Sequence, residues 1–457
     1  VITESFVITL RFKWVQQFNR FRPMRSQFFA VLVLLGLAAP VAATPQIQTW
    51  QSTGGARVLY VPVMDLPMVD VRVVFDAGAA RDDVRAGLAQ LTNQLLNAGA
   101  GARDEETLAS DLDALGVQIS TSSLRDMALL SLRSLREERI LHAALDMASD
   151  MLARPSFPQA AFQREVEQMR VAIEARQQDP GDIADEAFWR TMYAGHVYAE
   201  PPGGTAESID RLTLQAVRDF HATYYVQRNA TVAIVGQLTR LEAEEVVERV
   251  LRGLPSGDPA APVDSAHLPN AATTKVIDYP SEQTHLLVGQ PGMSRTDPDY
   301  YALYVGNHIL GGSGLVSRVS DEIREQRGLA YSAYSYFMPM RVNGPFQMGL
   351  QTRNDQADQA LTVLRETLQR FINEGPNADE LQRAKDNIIG GFALRLDSNS
   401  KITENLAVMG FYGLPLDYLD RFIERVETVT LEHVRDAFQR RVHPERLIVV
   451  RVGRVTT

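Results

Sequence analysis

The chain has no cysteine among its 457 residues. That excludes disulfides, a thiolate metal site and a cysteine nucleophile. An excess of basic charge is also missing. The formal net charge is -10, which speaks against a nucleic-acid partner, because phosphate binding needs a basic face. Gly and Pro are not raised enough for a fibrous or disordered chain. No apolar run reaches the roughly 20 residues that span a bilayer as a helix. With 45% hydrophobic and 22% charged residues, what remains is an ordinary globular composition, long enough for two or three domains.

Charge is unevenly spread. Residues 1–43 carry five basic residues and one acid, leaving 41 basic and 55 acidic residues, a net of -14, in the other 414. Arg22, Met24 and Arg25 precede the apolar stretch Phe28–Ala39, followed by Pro40-Val41-Ala42-Ala43. A basic start, a short apolar centre and small residues at a cut site predict a secretory signal peptide. Cleavage is expected after Ala43, with residues 1–23 an upstream extension. The mature protein is then expected to be exported, most simply to a periplasm, and not held in a membrane.

Alternating apolar residues predict strands at Val58–Val63 and Val69–Phe75, and again at Tyr331–Met338 and Pro345–Gln351. Helical spacing predicts helices at Arg85–Asn97, Leu135–Leu152, Gln159–Arg176, Ile183–Met192, Tyr300–Leu310 and Arg318–Gln326. Residues 255–273 are rich in Pro, Ala, Asp and Ser, lack periodicity and read as a flexible linker. Beyond them the pattern restarts. Thr213–Gly236 aligns without a gap on Thr430–Gly453 at an offset of 217, with 8 of 24 positions identical. A shorter echo, at offset 214, sets Asn93-Gln94-Leu95-Leu96 against Asn307-His308-Ile309-Leu310. The expected architecture is α+β: two similar, duplicated α/β-sandwich domains, 44–254 and 274–457, joined by the linker.

In order and spacing, several motifs together resemble the pitrilysin, insulysin and mitochondrial processing peptidase family of zinc metallopeptidases. They are Ala77-Gly78-Ala79-Ala80-Arg81, Gly87-Leu88-Ala89, Tyr193-Ala194-Gly195-His196-Val197-Tyr198, Arg228-Asn229-Ala230-Thr231, Gly311-Gly312-Ser313-Gly314 and Arg324-Glu325-Gln326-Arg327-Gly328-Leu329-Ala330-Tyr331. The resemblance covers the mature chain. Active members carry H-x-x-E-H, two zinc-binding histidines flanking a water-activating glutamate. The corresponding stretch here is Gln90-Leu91-Thr92-Asn93-Gln94. An amide neither ligates zinc tightly nor accepts a proton at neutral pH. Glu174 stands at the family's distal ligand position, seven residues after Glu167; on spacing alone the two read as solvated helix glutamates. None of the eight histidines forms an i, i+4 pair, and His308 reads as a partly buried structural histidine. The Gly311–Gly314 cluster lacks a phosphate loop's Lys-Ser/Thr ending and reads as a helix-ending turn.

Active members also need an Arg and a Tyr seven positions apart, which the resemblance places at Arg324 and Tyr331. A guanidinium can grip a substrate carbonyl and a phenol can donate to a developing oxyanion. The plain alternative is a surface Arg paired with Glu322 or Glu325 and an ordinary strand tyrosine at the start of Tyr331–Met338. The family's heterodimeric members divide these parts between two chains. The resemblance therefore implies a subunit with no zinc centre of its own and a homologous partner bearing H-x-x-E-H, which supplies the zinc. The implied substrates are peptides. A stand-alone peptide-binding protein, a structural assembly subunit and a peptidase with a different metal site stay open.

Overall fold

The strands follow the alternation of apolar residues. In the computed structural model, residues 46–455 are described; the signal-peptide reading of residues 1–43 falls outside them. The first half contributes β1 (Gln48–Gln51), β2 (Arg57–Pro62), β3 (Met68–Phe75), a small ladder of β4 (Gly99–Ala100) and β5 (Arg103–Asp104), β6 (Gln118–Ser123), β7 (Ala128–Leu135) and β8 (Ala230–Gly236). The second half contributes β9 (Thr273–Asp278), β10 (Gln283–Pro291), β11 (Ala333–Phe337), β12 (Pro345–Arg353) and β13 (Ile448–Gly453). The first sheet runs β1-β2-β8-β3-β7-β6, the second β11-β12-β10-β13-β9. Laid over one another, β2-β8-β3-β7-β6 and β9-β13-β10-β12-β11 agree in order. They also agree in sense: β2–β8 and β13–β9 are parallel and the other matching pairs antiparallel.

The repeat seen in the sequence is a helix and the strand that enters the middle of each sheet. Thr213 caps the Leu214–Tyr224 helix by accepting from the Ala216 amide, and Thr430 caps Leu431–Arg441 by accepting from the His433 amide. Each helix then leads to the strand lying between a parallel and an antiparallel neighbour, β8 or β13. Such a strand is covered on both faces. Accordingly β8, Ala-Thr-Val-Ala-Ile-Val-Gly, is buried at every position.

The covering is reciprocal. Val58, Tyr60, Val71, Val73, Val232 and Ile234 face helices of the first half. Their strand neighbours Leu59, Val61, Val74, Ala233 and Val235 face the other way and join the core around Leu406 and Ala407 of the Asn399–Tyr412 helix, from the second half. In the second sheet Leu286, Val288, Phe346 and Met348 pack with that half's own helices. Leu287, Ile448, Val450 and Val452 pack instead with Ala184, Ala187 and Phe188 of the Pro180–Met192 helix, from the first half. The period of two in a strand divides its residues between two cores.

Four expectations need correction. The helix expected over Arg85–Asn97 begins only at Leu88 and tightens into a 3₁₀ turn at Leu95–Asn97. The buried carboxyl group of Asp82 accepts from the amides of Gly87 and Ala89 and fixes the start. The helices expected over Tyr300–Leu310 and Arg318–Gln326 each end in a π-helical turn, His308–Gly312 and Asp321–Glu325. The segment 255–273 has no helix or strand before Thr273 but is tethered. The Pro255 carbonyl accepts from Gln227, Ala260 donates to Asn229 Oδ1, the Asp264 carbonyl meets His196 Nε2, and Ala266 is buried. Composition predicted local freedom, and tertiary hydrogen bonds remove it. Among the described residues no helix is long and apolar enough to cross a membrane.

The reciprocal packing has a tight point at Gly410. A Cβ there would stand 2.4 Å from Thr231 Cγ2 and 2.7 Å from Leu59 Cδ1 of the first sheet. Gly410→Val should destabilise the fold by about 1–3 kcal/mol through overpacking, read from urea unfolding. An unchanged midpoint would contradict the close approach of this helix to β2 and β8.

Candidate functional site

The degenerate motif lies on the Leu88–Gln94 helix, in the inner layer of the first half. Its N-cap, Gly87, has φ +96, a conformation that favours glycine. A Cβ on it would reach 3.0 Å from Met169 Cε, on the Gln159–Arg176 helix that also carries Glu174. Gln90 is half-buried and Asn93 is buried. Asn93 Nδ2 donates to the Leu129 carbonyl at 3.4 Å and to the Tyr225 hydroxyl at 3.3 Å. Burial holds the Tyr225 phenol well above its ordinary value, with Asn93 pulling the other way. Gln94 is half-buried, and its Oε1 has no hydrogen-bond partner among the described residues. Glu174 is exposed.

A zinc ion does not fit this set of donors. Two carboxamides, a third amide committed to the core and one exposed carboxylate offer neither imidazole nor a second anion. Among the described residues no three His, Cys, Asp or Glu side chains gather in a group able to hold a metal.

The second half brings Arg324 and Tyr331 together. Arg324 sits in the π-helical turn Asp321–Glu325. Gly328, at φ +60, donates back to the Arg324 carbonyl, and Leu329 donates to Ile323. The chain thereby folds over so that the Arg324 guanidinium lies 4.7 Å from the Tyr331 ring centroid, a cation–π contact. Arg324 Nε also meets Glu325 at 3.3 Å, while Glu322 pairs with Arg327 and Arg370 instead. Tyr331 does not begin a strand, since β11 starts at Ala333. It stands in the preceding turn, 83% exposed.

Tyr331 also lines a pocket of about 290 Å³ built from both halves. Its walls include Tyr334 of β11, Gln347 of β12, His285 of β10, and Asp185 from the Pro180–Met192 helix. Burial raises the Asp185 carboxyl above its usual range, against the nearby Arg125 charge. Burial lowers His285, against Asp179. Gln347 is 2% exposed, and its Oε1 has no partner among the described residues. Tyr334 and Tyr336 stack on one face of β11, 6.0 Å between centroids. Chemically the site offers a half-buried guanidinium and an exposed phenol for carbonyl oxygens, beside a pocket with an unpaired buried acceptor. The family resemblance, not spacing alone, singled out Arg324 and Tyr331. The alternating Tyr334 and Tyr336 were a readable signal for an aromatic face. Asp185 and His285 had none, because folding alone brings their elements together.

Residues 58–205 match the family model described as insulinase (peptidase family M16), and residues 211–388 match that of the peptidase M16 inactive domain. A crystal structure of a peptidase M16 inactive domain from Pseudomonas fluorescens is 36% identical with a TM-score of 0.87, covering 90% of this chain and 98% of its own. The chain belongs to peptidase family M16. Among its M16 relatives is a non-peptidase homolog, YmxG, of Helicobacter pylori, 24% identical over 411 residues, 89% of this chain and 94% of the relative. Another, named an uncharacterized zinc protease, comes from Streptomyces coelicolor. It is 28% identical over 367 residues, 78% of this chain and 79% of the relative. This M16 chain is of the inactive kind, with amides at all three positions of the zinc motif.

Two outcomes follow from the motif helix. Added zinc should not shift the thermal midpoint, whereas a true site at a hundred times its Kd would add about 2.7 kcal/mol. A zinc-dependent rise would show that the amides suffice. Asp82 imposes a pH dependence. Burial lifts its folded carboxyl from the ordinary 3.8 to about 8. The folded state keeps the proton where the unfolded chain has lost it. This group's stabilisation is therefore full below about pH 4 and declines as pH rises toward 8. Asp82→Asn should flatten the fall in stability between pH 5 and 8, measured by urea midpoints. An identical slope in both proteins would refute it.

Proposed function

We propose that this chain is the non-catalytic partner subunit of an exported, heterodimeric zinc peptidase. The observation that carries the reading is the Arg324 guanidinium set against the exposed Tyr331 ring beside a pocket, in a chain whose zinc-motif positions are Gln90, Asn93 and Gln94. An Arg/Tyr pair suited to gripping a peptide stands with its phenol in solvent, and the metal-binding set is absent from the motif. A second, homologous chain bearing H-x-x-E-H supplies the zinc, its ligands and the general base. Arg324 and Tyr331 reach the peptide held in that chain's site. The guanidinium holds a peptide carbonyl through forked hydrogen bonds, and the phenol donates to charge developing on the carbonyl oxygen. The non-peptidase relative supports a role without catalysis of its own. A stable pairing needs more than about 1,000 Å² of buried surface, within reach of a chain of two domains. The site of action is the periplasm.

The test assays this chain, the H-x-x-E-H chain and their mixture on a quenched-fluorescence peptide. Activity should arise only in the mixture. Arg324→Ala or Tyr331→Phe should lower its kcat/KM by about 10²–10³, the scale of one lost oxyanion donor. Zinc-dependent cleavage by this chain alone would overturn the proposal. Full activity of both variants in the mixture would remove the site assignment.

A further inference from the structure

The second half holds a cavity of about 420 Å³ in the place that answers to the degenerate zinc motif. The correspondence is structural as well as sequential. Asn93-Gln94 echoes Asn307-His308. Each buried asparagine ties its helix to its own sheet through Nδ2, Asn93 to the Leu129 carbonyl and Asn307 to the Ser335 carbonyl. The first-half position holds Gln90, Asn93 and Gln94, of which Asn93 is committed to Leu129 and Tyr225. The second-half position is open, and its polar lining is Tyr304, Asn307, His308, Ser335, Tyr336, Asn387 and Arg395, with no carboxylate.

Arg395 is the only charge in that lining. Its guanidinium donates to the Tyr304 hydroxyl and lies 5.6 Å and 5.5 Å from the Tyr304 and Phe422 ring centroids. Among the described residues it forms no ion pair with an acid. A guanidinium presents five N–H donors, so most of its hydrogen-bonding capacity is unused by side chains. His308 stands in the π-helical turn His308–Gly312, within hydrogen-bonding reach of Asn387. Burial lowers its pKa, the Arg395 charge lowers it further, and the Asn387 contact opposes both. A neutral imidazole keeps one N–H, which the Asn387 oxygen engages. The cavity thus gathers donors from a guanidinium, a carboxamide and phenols.

We infer that this cavity binds a carboxylate, the free C-terminal carboxylate of a short peptide. The fork of Arg395 matches the two oxygens of a carboxylate. One cation balances one negative charge, whereas phosphate carries more charge than this lining neutralises. The walls formed by Tyr336, Phe337 and Ile388 offer apolar surface to the side chain of the terminal residue. Only the choice of a peptide as carrier of the carboxylate rests on the function proposed above.

The test titrates the full chain, without any partner, by calorimetry. The ligands are a short peptide with a free C-terminus, the same peptide amidated, and inorganic phosphate. The free-acid peptide should bind at least about tenfold more tightly than the amide, the scale of one charge-assisted pair. Arg395→Gln should abolish that preference, and Asn387→Ala should weaken it while leaving the fold intact. Equal binding of acid and amide, or a preference that survives Arg395→Gln, would overturn the site. Phosphate displacing the peptide at equal affinity would overturn the peptide assignment. Because no partner is present, failure here leaves activity of the mixed subunits untouched, and loss of that activity leaves this binding untouched.

Discussion

Each sheet has two apolar faces and helices of its own half on only one of them. Leu59, Val61, Val74, Ala233 and Val235 would meet water but for the Asn399–Tyr412 helix, and Leu287, Ile448, Val450 and Val452 but for Pro180–Met192. A central strand exposed on one face would lose about 1.5–3 kcal/mol for each large side chain uncovered. Neither half is therefore complete alone, and the two stability problems have a single solution. That reciprocity sets the geometry of everything else. A polar knot fixes its register: the buried Asp126 carboxylate accepts from the Tyr198 and Tyr412 hydroxyls and from the Arg341 amide, at 2.5, 3.0 and 2.8 Å. Arg341 also meets Asp76 at 3.1 Å. Those groups come from both halves, and a carboxylate buried between them tolerates little sliding, because an unpaired buried charge costs several kcal/mol.

The pocket beside Tyr331 is a by-product of the same exchange. Its first-half wall, with Ala184 and Asp185, is the helix that covers the second sheet. That helix is held further along by Trp189, under the guanidinium of Arg125 at 3.8 Å. Arg125 in turn donates to the carbonyls of Tyr198 and Glu200. Burial brings Arg125 down to about 10, with Asp185 the largest opposing charge. One guanidinium thus ties the end of the helix to the Tyr198–Glu200 turn and sets the charge around the pocket's acid. The tyrosine that faces solvent is backed by a wall whose position the packing of this helix on the second sheet determines.

What could be read from the chain and what could not divide along the range of the forces involved. The duplication was legible because a capping threonine, an amphipathic helix and a fully buried strand are local signatures, and Thr213–Gly236 and Thr430–Gly453 carry them twice. The lost metal chemistry was legible because it depends on residue type alone: no placement makes Gln90 or Gln94 an imidazole. Illegible were features decided by distant partners. The π-helical turn at His308 packs against β11 and that at Arg324 against the Ala357–Glu374 helix, while the preceding sequence gives ordinary helical periodicity. Residues 255–273 look free in composition and are held by Gln227, Asn229 and His196. Alternating neighbours place Tyr331 in a strand, but the Gly328 turn runs past it and β11 pairs with β12 only from Ala333.

The duplicated frame also separates shape from chemistry. Two corresponding helices lie beside two corresponding sheets, so both halves provide the same kind of recess. In the first half, the recess has turned inward: Asn93 spends its donors on Leu129 and Tyr225 inside the core. Glu174 is left exposed. In the second half, Asn307 closes a complete exchange with Ser335, accepting from its hydroxyl at 2.7 Å while donating to its carbonyl at 3.1 Å. That pairing satisfies the buried amide without drawing in His308, Asn387 or Arg395, which line the cavity. A buried polar group must be satisfied somewhere. Where the partner is a serine on the adjacent strand, the rest of the recess keeps its hydrogen-bonding capacity for something else.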